Sequence, residues 1–206
     1  MFAEVLPAGT KSALALLEKN QTIQNSYLAG GTGLALQLGH RISRDLGFFT
    51  CREFRVDSLL AVFRKIPGFA PSRISEGTVL GSFDDLKFSI FHYEYPLLEP
   101  VVKFNNTDVA AVRDIGAMKM LACASRGTRR DFIDLYFICR QVYPLKRLCE
   151  AYDKKYGNLN SMLMHIKKSL VYFEDAEADE MPLMLVETCW EEVKKFFISE
   201  VRELDV

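Results

Sequence analysis

The segment AGGTGLALQLGHRISRDLGFFT, residues Ala29–Thr50, decides the fold. It follows Ser26-Tyr27-Leu28-Ala29, a short apolar run that reads as a strand. Gly30, Gly31 and Gly33 stand at the mouth of an apolar stretch, Thr32–Leu38, whose Leu34, Ala35 and Leu38 share one helical face. A strand, a Gly-Gly-Thr turn and a helix let the backbone approach a ligand closely. They also aim free N–H groups at an anion. Thr32 can cap the helix or hydrogen-bond a phosphate. Two glycines equally suit a tight turn with no ligand, so the turn by itself leaves both readings open. The dinucleotide fingerprint is excluded, because GGTGLA lacks its third glycine and no acid follows at the right distance.

Asp45–Thr50 reads as the next strand. Acids at positions i and i+2 of such a strand share one face. Two such carboxylates can bind a divalent metal that organises a triphosphate. Here Asp45 is present, but the position two residues on is Gly47. Between helix and strand, His40 and Arg41 read either as phosphate contacts or as part of a surface loop.

On either side of this segment, KSALALLEK (Lys11–Lys19) has helical spacing, and so has Arg55–Lys65, which Pro67-Gly68 stops. From Ser72 to Tyr95 the pattern is β. Thr78–Leu80 and Leu86–Tyr93 form an antiparallel pair around a Gly81–Asp85 turn. Pro96–Pro100 is a break, and Val101–Phe104 a short strand. The remainder reads as helices over Val109–Ser125, Arg130–Val142, Leu145–Tyr156, Leu159–Phe173 and Pro182–Val201, with the acidic Glu174–Glu180 run as a solvated connection. Asp131 and Asp134 share a helical face. They suit a polar cluster, or a helix-start acid and a surface charge. Lys119 sits beside the apolar Met118, Leu121 and Ala122 and either enters a site or reaches solvent along its stem. Arg126, Arg129 and Arg130 form a basic loop suited to phosphate or to solubility.

With 206 residues, a formal charge of −1 and 49% hydrophobic residues, the composition is that of a soluble protein with a full core and no global basic field. No apolar run is long enough to span a bilayer, and no signal peptide is evident. The five scattered cysteines form no CxxC pair and read as reduced thiols in a cytoplasmic protein. The expected fold is α+β: a small mixed β-sheet with flanking helices and a C-terminal helical bundle, divided as 1–106 and 107–206.

Three motifs carry a family resemblance, in order: AGGTGLALQLGHRISRDLGFFT, LKFSIFHYEYPLLEP and DIGAMKMLACASRGTRRDFIDLYFI. The chain resembles the AbiEii/AbiGii-toxin nucleotidyltransferases, a branch of the DNA polymerase β-type superfamily. The resemblance covers about Tyr27 to Arg140. It implies transfer of a nucleoside monophosphate from an NTP to an RNA (tRNA) or protein acceptor with Mg²⁺ or Mn²⁺, in a toxin–antitoxin or phage-defence setting with an antitoxin as partner. By position it implies Gly30, Gly31, Thr32, Arg41, Ser43 and Arg130 at the nucleotide, and Asp45 as the metal acid. Lys119, Asp131 and Asp134 complete the implied catalytic set. Family members carry a second acid where this chain has Gly47. The superfamily's third acid falls at Ser89. One carboxylate of three is therefore retained, and three functions compete: a metal-dependent transferase, a catalytically impaired nucleotide-binding or regulatory protein, and a toxin component active only with its partner.

Overall fold

The computed structural model describes residues 1–20 and 23–204. Its elements run α1 (Ala8–Lys19), β1 (Tyr27–Leu28), α2 (Gly30–Leu38), β2 (Leu46–Thr50), α3 (Val56–Phe63), β3 (Phe69–Ser75), β4 (Thr78–Phe83), β5 (Leu86–His92), β6 (Val102–Phe104) and β7 (Thr107–Val109). Helices then follow: α4 (Val112–Ser125), α5 (Arg129–Gln141), α6 (Leu145–Tyr156), α7 (Leu159–Leu170), α8 (Glu174–Glu177) and α9 (Trp190–Arg202). The strands form one mixed sheet in the order β3-β4-β5-β2-β1-β7-β6. The pairs β2–β5 and β1–β7 are parallel, and the other neighbours are antiparallel.

The sheet separates two apolar cores. Leu46 and Phe48 of β2, Phe88 and Ile90 of β5 and Val79 of β4 face α1 and α3. Tyr27, Ala29 and Leu34 pack with Ile115, Phe132, Leu135, Leu148 and Phe197 of the helical half. Strand alternation explains the split: Leu46, Phe48 and Thr50 are buried on one face of β2, while Gly47 and Phe49 are half-buried on the other. Asp45 stands at the mouth of that second face.

Several boundaries differ from the sequence reading. Helix α1 starts at Ala8, and β2 starts one residue after Asp45. Gly81, Ser82 and Phe83 remain in β4, paired with Phe88, Lys87 and Leu86, so the hairpin turn is Asp84-Asp85 alone. Val109 does not open a helix. It closes β7, paired with Val102 and Leu28, and the sheet therefore continues past residue 106. The acidic Glu174–Glu180 run is no mere solvated connection: α8 buries Ala176, and Asp179 accepts the amide of Arg129 at 2.9 Å, capping α5 from a distant segment.

The last helix does not begin at Pro182. Residues 181–189 form an extended strap across the loop before β2. Ile42 N–H donates to Leu183 O at 2.8 Å, and Leu185 N–H donates to His40 O at 2.9 Å. Helix α9 starts only after Cys189, where the Glu192 carboxylate accepts the Cys189 amide.

Asp114 of the DIGAMK motif fixes the Pro96–Pro100 break. Fully buried, it accepts the amides of Leu98 and Glu99 and pairs with Lys155 at 2.8 Å. Lys155 also donates to Pro96 O at 2.8 Å.

Candidate functional site

The glycine turn folds as expected, with β1 leading through Ala29 into α2. Gly30 has φ of +62°, a conformation that side-chain-bearing residues rarely adopt. Gly31 is small for another reason. A Cβ there would lie 2.1 Å from the Arg41 guanidinium. Among the described residues, the amides of Gly30, Gly31 and Thr32 donate to no backbone carbonyl. They are the unsatisfied donors that open a helix. A cavity of about 460 Å³ is lined by Arg41, Ile42, Arg44, Asp45 and Arg130, by Asp179 and Glu180, and by the strap residues Met181, Pro182 and Leu183. The glycines stand behind Arg41 and do not line this cavity themselves.

Arg41 is buried and forks onto Asp134, with Nε 2.7 Å from Oδ1 and Nη2 2.9 Å from Oδ2. His40 Nε2 reaches the same carboxylate at 2.8 Å, and Lys119 Nζ reaches it at 2.5 Å. His40 is fully buried against Phe137, so the surface-loop reading of His40 and Arg41 is corrected. Lys119 also pairs with Asp131 at 2.9 Å. Asp131 accepts from Arg126 Nε at 2.8 Å and Thr128 Oγ1 at 2.6 Å. Lys119, Asp131 and Asp134 thus meet as expected, on the Asp45 side of the molecule, but as a closed ionic brace. Every member of this trio is buried.

Burial by itself would raise both carboxyls. The Arg41 and Lys119 charges instead hold Asp134 well below the usual carboxylate range, and Lys119 and Arg126 do the same for Asp131. Burial would likewise lower the Lys119 ammonium, but Asp134 and Asp131 hold it above its ordinary value. The unfolded chain binds protons at these aspartates near pH 3.9, whereas the folded chain keeps them ionised. The contribution is intact above about pH 4 and drains as the pH falls toward the lower folded values. Urea midpoints are expected to drop between pH 5 and pH 3. A midpoint flat across that interval contradicts the brace.

Thr32 and Ser43 turn inward. Their hydroxyls lie 2.7 Å apart, and Thr32 also donates to the Asp45 carbonyl. They brace the start of β2. Arg130 and Asp45 are the exposed members, with side chains 57% and 52% accessible and 3.7 Å apart. The basic loop therefore divides: Arg126 serves Asp131, Arg129 holds the α8 region, and Arg130 faces the cavity. Arg44, Asp179 and Glu180 escaped the sequence reading. The first looked like one charge in a loop, and the acids belong to a segment whose role depends on backbone pairing.

Gly47 pairs in register with Ser89 across β2 and β5, beside Asp45. Both positions implied for missing acids are therefore neighbours, and neither offers a carboxylate. Among the described residues, no group of three His, Cys, Asp or Glu side chains could hold a metal ion. A divalent cation of the kind the resemblance implies needs several oxygen ligands. The residues present do not fit it.

Comparison with known proteins places this geometry. MenT4, a nucleotidyltransferase toxin from Mycobacterium tuberculosis, superposes with a TM-score of 0.58 at 16% identity, covering 97% of this chain and 87% of that one. JHP933 from Helicobacter pylori gives 0.57 at 18% identity, over 94% and 89%. At these identities the likeness is one of fold. An uncharacterized protein of Aquifex aeolicus is 43% identical over 183 residues, 86% of each chain. The family model described as nucleotidyl transferase AbiEii toxin, type IV TA system, matches residues 84–205. More than half of the sequence thus carries the family pattern, and the chain belongs to the AbiEii nucleotidyltransferase toxin family.

Proposed function

We propose that the protein binds a nucleoside triphosphate in the cavity bordered by the Arg41–Asp45 loop, the start of α5 and residues 179–183, as a member of its family with impaired nucleotidyl transfer. One observation carries this reading: Gly47 faces Ser89 beside a lone Asp45. The nucleotide half of the site is retained. Free amides open α2, Arg44 and Arg130 border a cavity of ligand size, and the brace holds Arg41 over Gly31. The acids that would complete a metal centre are not.

A second reading is favoured by Asp45, which remains exposed at the cavity rather than buried in a structural pair. In it the chain is an active Mg²⁺- or Mn²⁺-dependent transferase, moving a nucleoside monophosphate onto an RNA such as tRNA or onto a protein. An antitoxin partner, in keeping with the family description, belongs to either reading.

Thermal unfolding with each NTP, together with a label-transfer assay using Mn²⁺ and total tRNA, separates the two. At a nucleotide concentration near 100 times Kd, the melting temperature is expected to rise by about 5–10 °C. Label transfer by the natural chain is expected to stay near background. No thermal shift with any NTP overturns the nucleotide site. Strong transfer establishes the second reading.

A further inference from the structure

We infer that the nucleotide enters this site as the free polyphosphate anion, without a divalent cation, and that exposed arginines of the chain take the place the ion holds elsewhere. The inference rests on the proposed nucleotide site and states which form of the ligand it selects.

Of the three positions where carboxylates would hold an ion, only Asp45 has one, and its side chain already lies 3.7 Å from the Arg130 guanidinium. A cation arriving there meets one acid that is partly neutralised and an arginine that repels it. The phosphates of a nucleotide meet the reverse. Arg130 and Arg44 are both exposed and both line the cavity, so each can turn onto a phosphate and form charge-assisted hydrogen bonds. The free amides at the start of α2 add a fixed positive pole behind them. Arg41 is committed to Asp134 and stays in place as the wall between amides and cavity.

The cavity also carries acids, and their placement is compatible with an anion. Asp179 is engaged by the Arg129 amide, and Glu180 is exposed just ahead of the strap. Neither joins Asp45 in a group able to hold a metal ion.

Gly47 is the deciding residue, because nothing in the fold demands a glycine there. A Cβ at this position would meet Ser89 Oγ at 3.6 Å and a Phe49 ring carbon at 3.8 Å, which is ordinary contact. Packing does not exclude an acid. The consequence of its absence is electrostatic: a carboxylate at 47 would repel a bare polyphosphate and attract a chelated one. With glycine, the site loses its preference for the chelate and favours the more highly charged free anion.

Titration of the natural chain with each of the four common NTPs, in EDTA and again in excess MgCl₂, tests this directly by calorimetry. Binding in EDTA is expected to be at least as tight as in Mg²⁺. Arg130→Ala and Arg44→Ala are each expected to weaken binding in EDTA by about tenfold, the scale of one lost charge-assisted hydrogen bond. Gly47→Asp should reverse the preference and bind more tightly with Mg²⁺ than in EDTA. Binding by the natural chain that requires Mg²⁺ overturns the inference and leaves the nucleotide site standing. No binding in either buffer overturns both.

Discussion

Asp134→Ala is expected to destabilise the protein by about 3–5 kcal/mol, the cost of breaking a buried ion pair by removing one partner. Asp134 is fully buried and is the common acceptor for His40, Arg41 and Lys119. Truncation leaves a guanidinium and an ammonium close together in the interior, with Asp131 as the remaining acid of the brace. Desolvation of an unpaired charge is far costlier than loss of a surface contact. The effect should extend to the glycine turn, because Asp134 holds the Arg41 guanidinium over Gly31 through both Nε and Nη2. Urea denaturation checks the size. Arg44→Ala, at an exposed position, is the control and should stay within about 0.5 kcal/mol. A change below about 1 kcal/mol for Asp134→Ala would show that the cluster is hydrated and not a brace.

Gly47→Asp is expected to raise Mn²⁺-dependent label transfer to RNA by at least about tenfold, which needs only about 1.4 kcal/mol of added transition-state stabilisation. Asp45 and the new acid would stand on one side of β2. Two carboxylates hold a divalent ion better than one, and a held ion stabilises charge on a transferring phosphoryl group. A Cβ at position 47 makes only ordinary contacts, at 3.6 and 3.8 Å, and the melting temperature of the variant checks that it folds. Equal transfer by both proteins would mean that glycine is no handicap and that the chemistry draws on other ligands. No transfer by either folded protein, with acceptors varied, would leave nucleotide binding as the activity of the chain.

Much of this architecture was legible in the residues. The Gly-Gly-Thr turn, the β4–β5 hairpin and the limits of α6 follow from period, propensity and turn chemistry, all of them local. Two strands escape for local reasons too. The β pattern from Ser72 covers only part of β3, which contains Pro71 and is largely exposed, and only Ala110 and Ala111 separate the three residues of β7 from α4, so Val109 reads as the start of the helix. In the site, the helical face shared by Asp131 and Asp134 could be read from spacing. Their burial could not: Asp134 meets His40 and Arg41 from more than 90 positions away, and even for Asp131, whose partners Lys119, Arg126 and Thr128 are near in sequence, spacing does not state which cation a carboxylate meets. The same holds for the strap. Leu183 and Leu185 pair through backbone atoms with Ile42 and His40, and backbone pairing leaves no mark on side-chain identity. The missing acid at Gly47 was visible at once, since an absent ligand atom is a property of one residue.

The strap also sets an order of events during synthesis. The wall of the cavity formed by Asp179–Leu183 is held by hydrogen bonds to a loop near residue 42, and the helix that anchors its far end begins only at Trp190. A nascent chain that has delivered the glycine turn, the sheet and even the ionic brace to the ribosome exit still lacks that wall. Because domains assemble as their segments emerge, the cavity closes only after residues 179–190 have followed the sheet and the brace out of the ribosome, and a copy terminated before them lacks that wall.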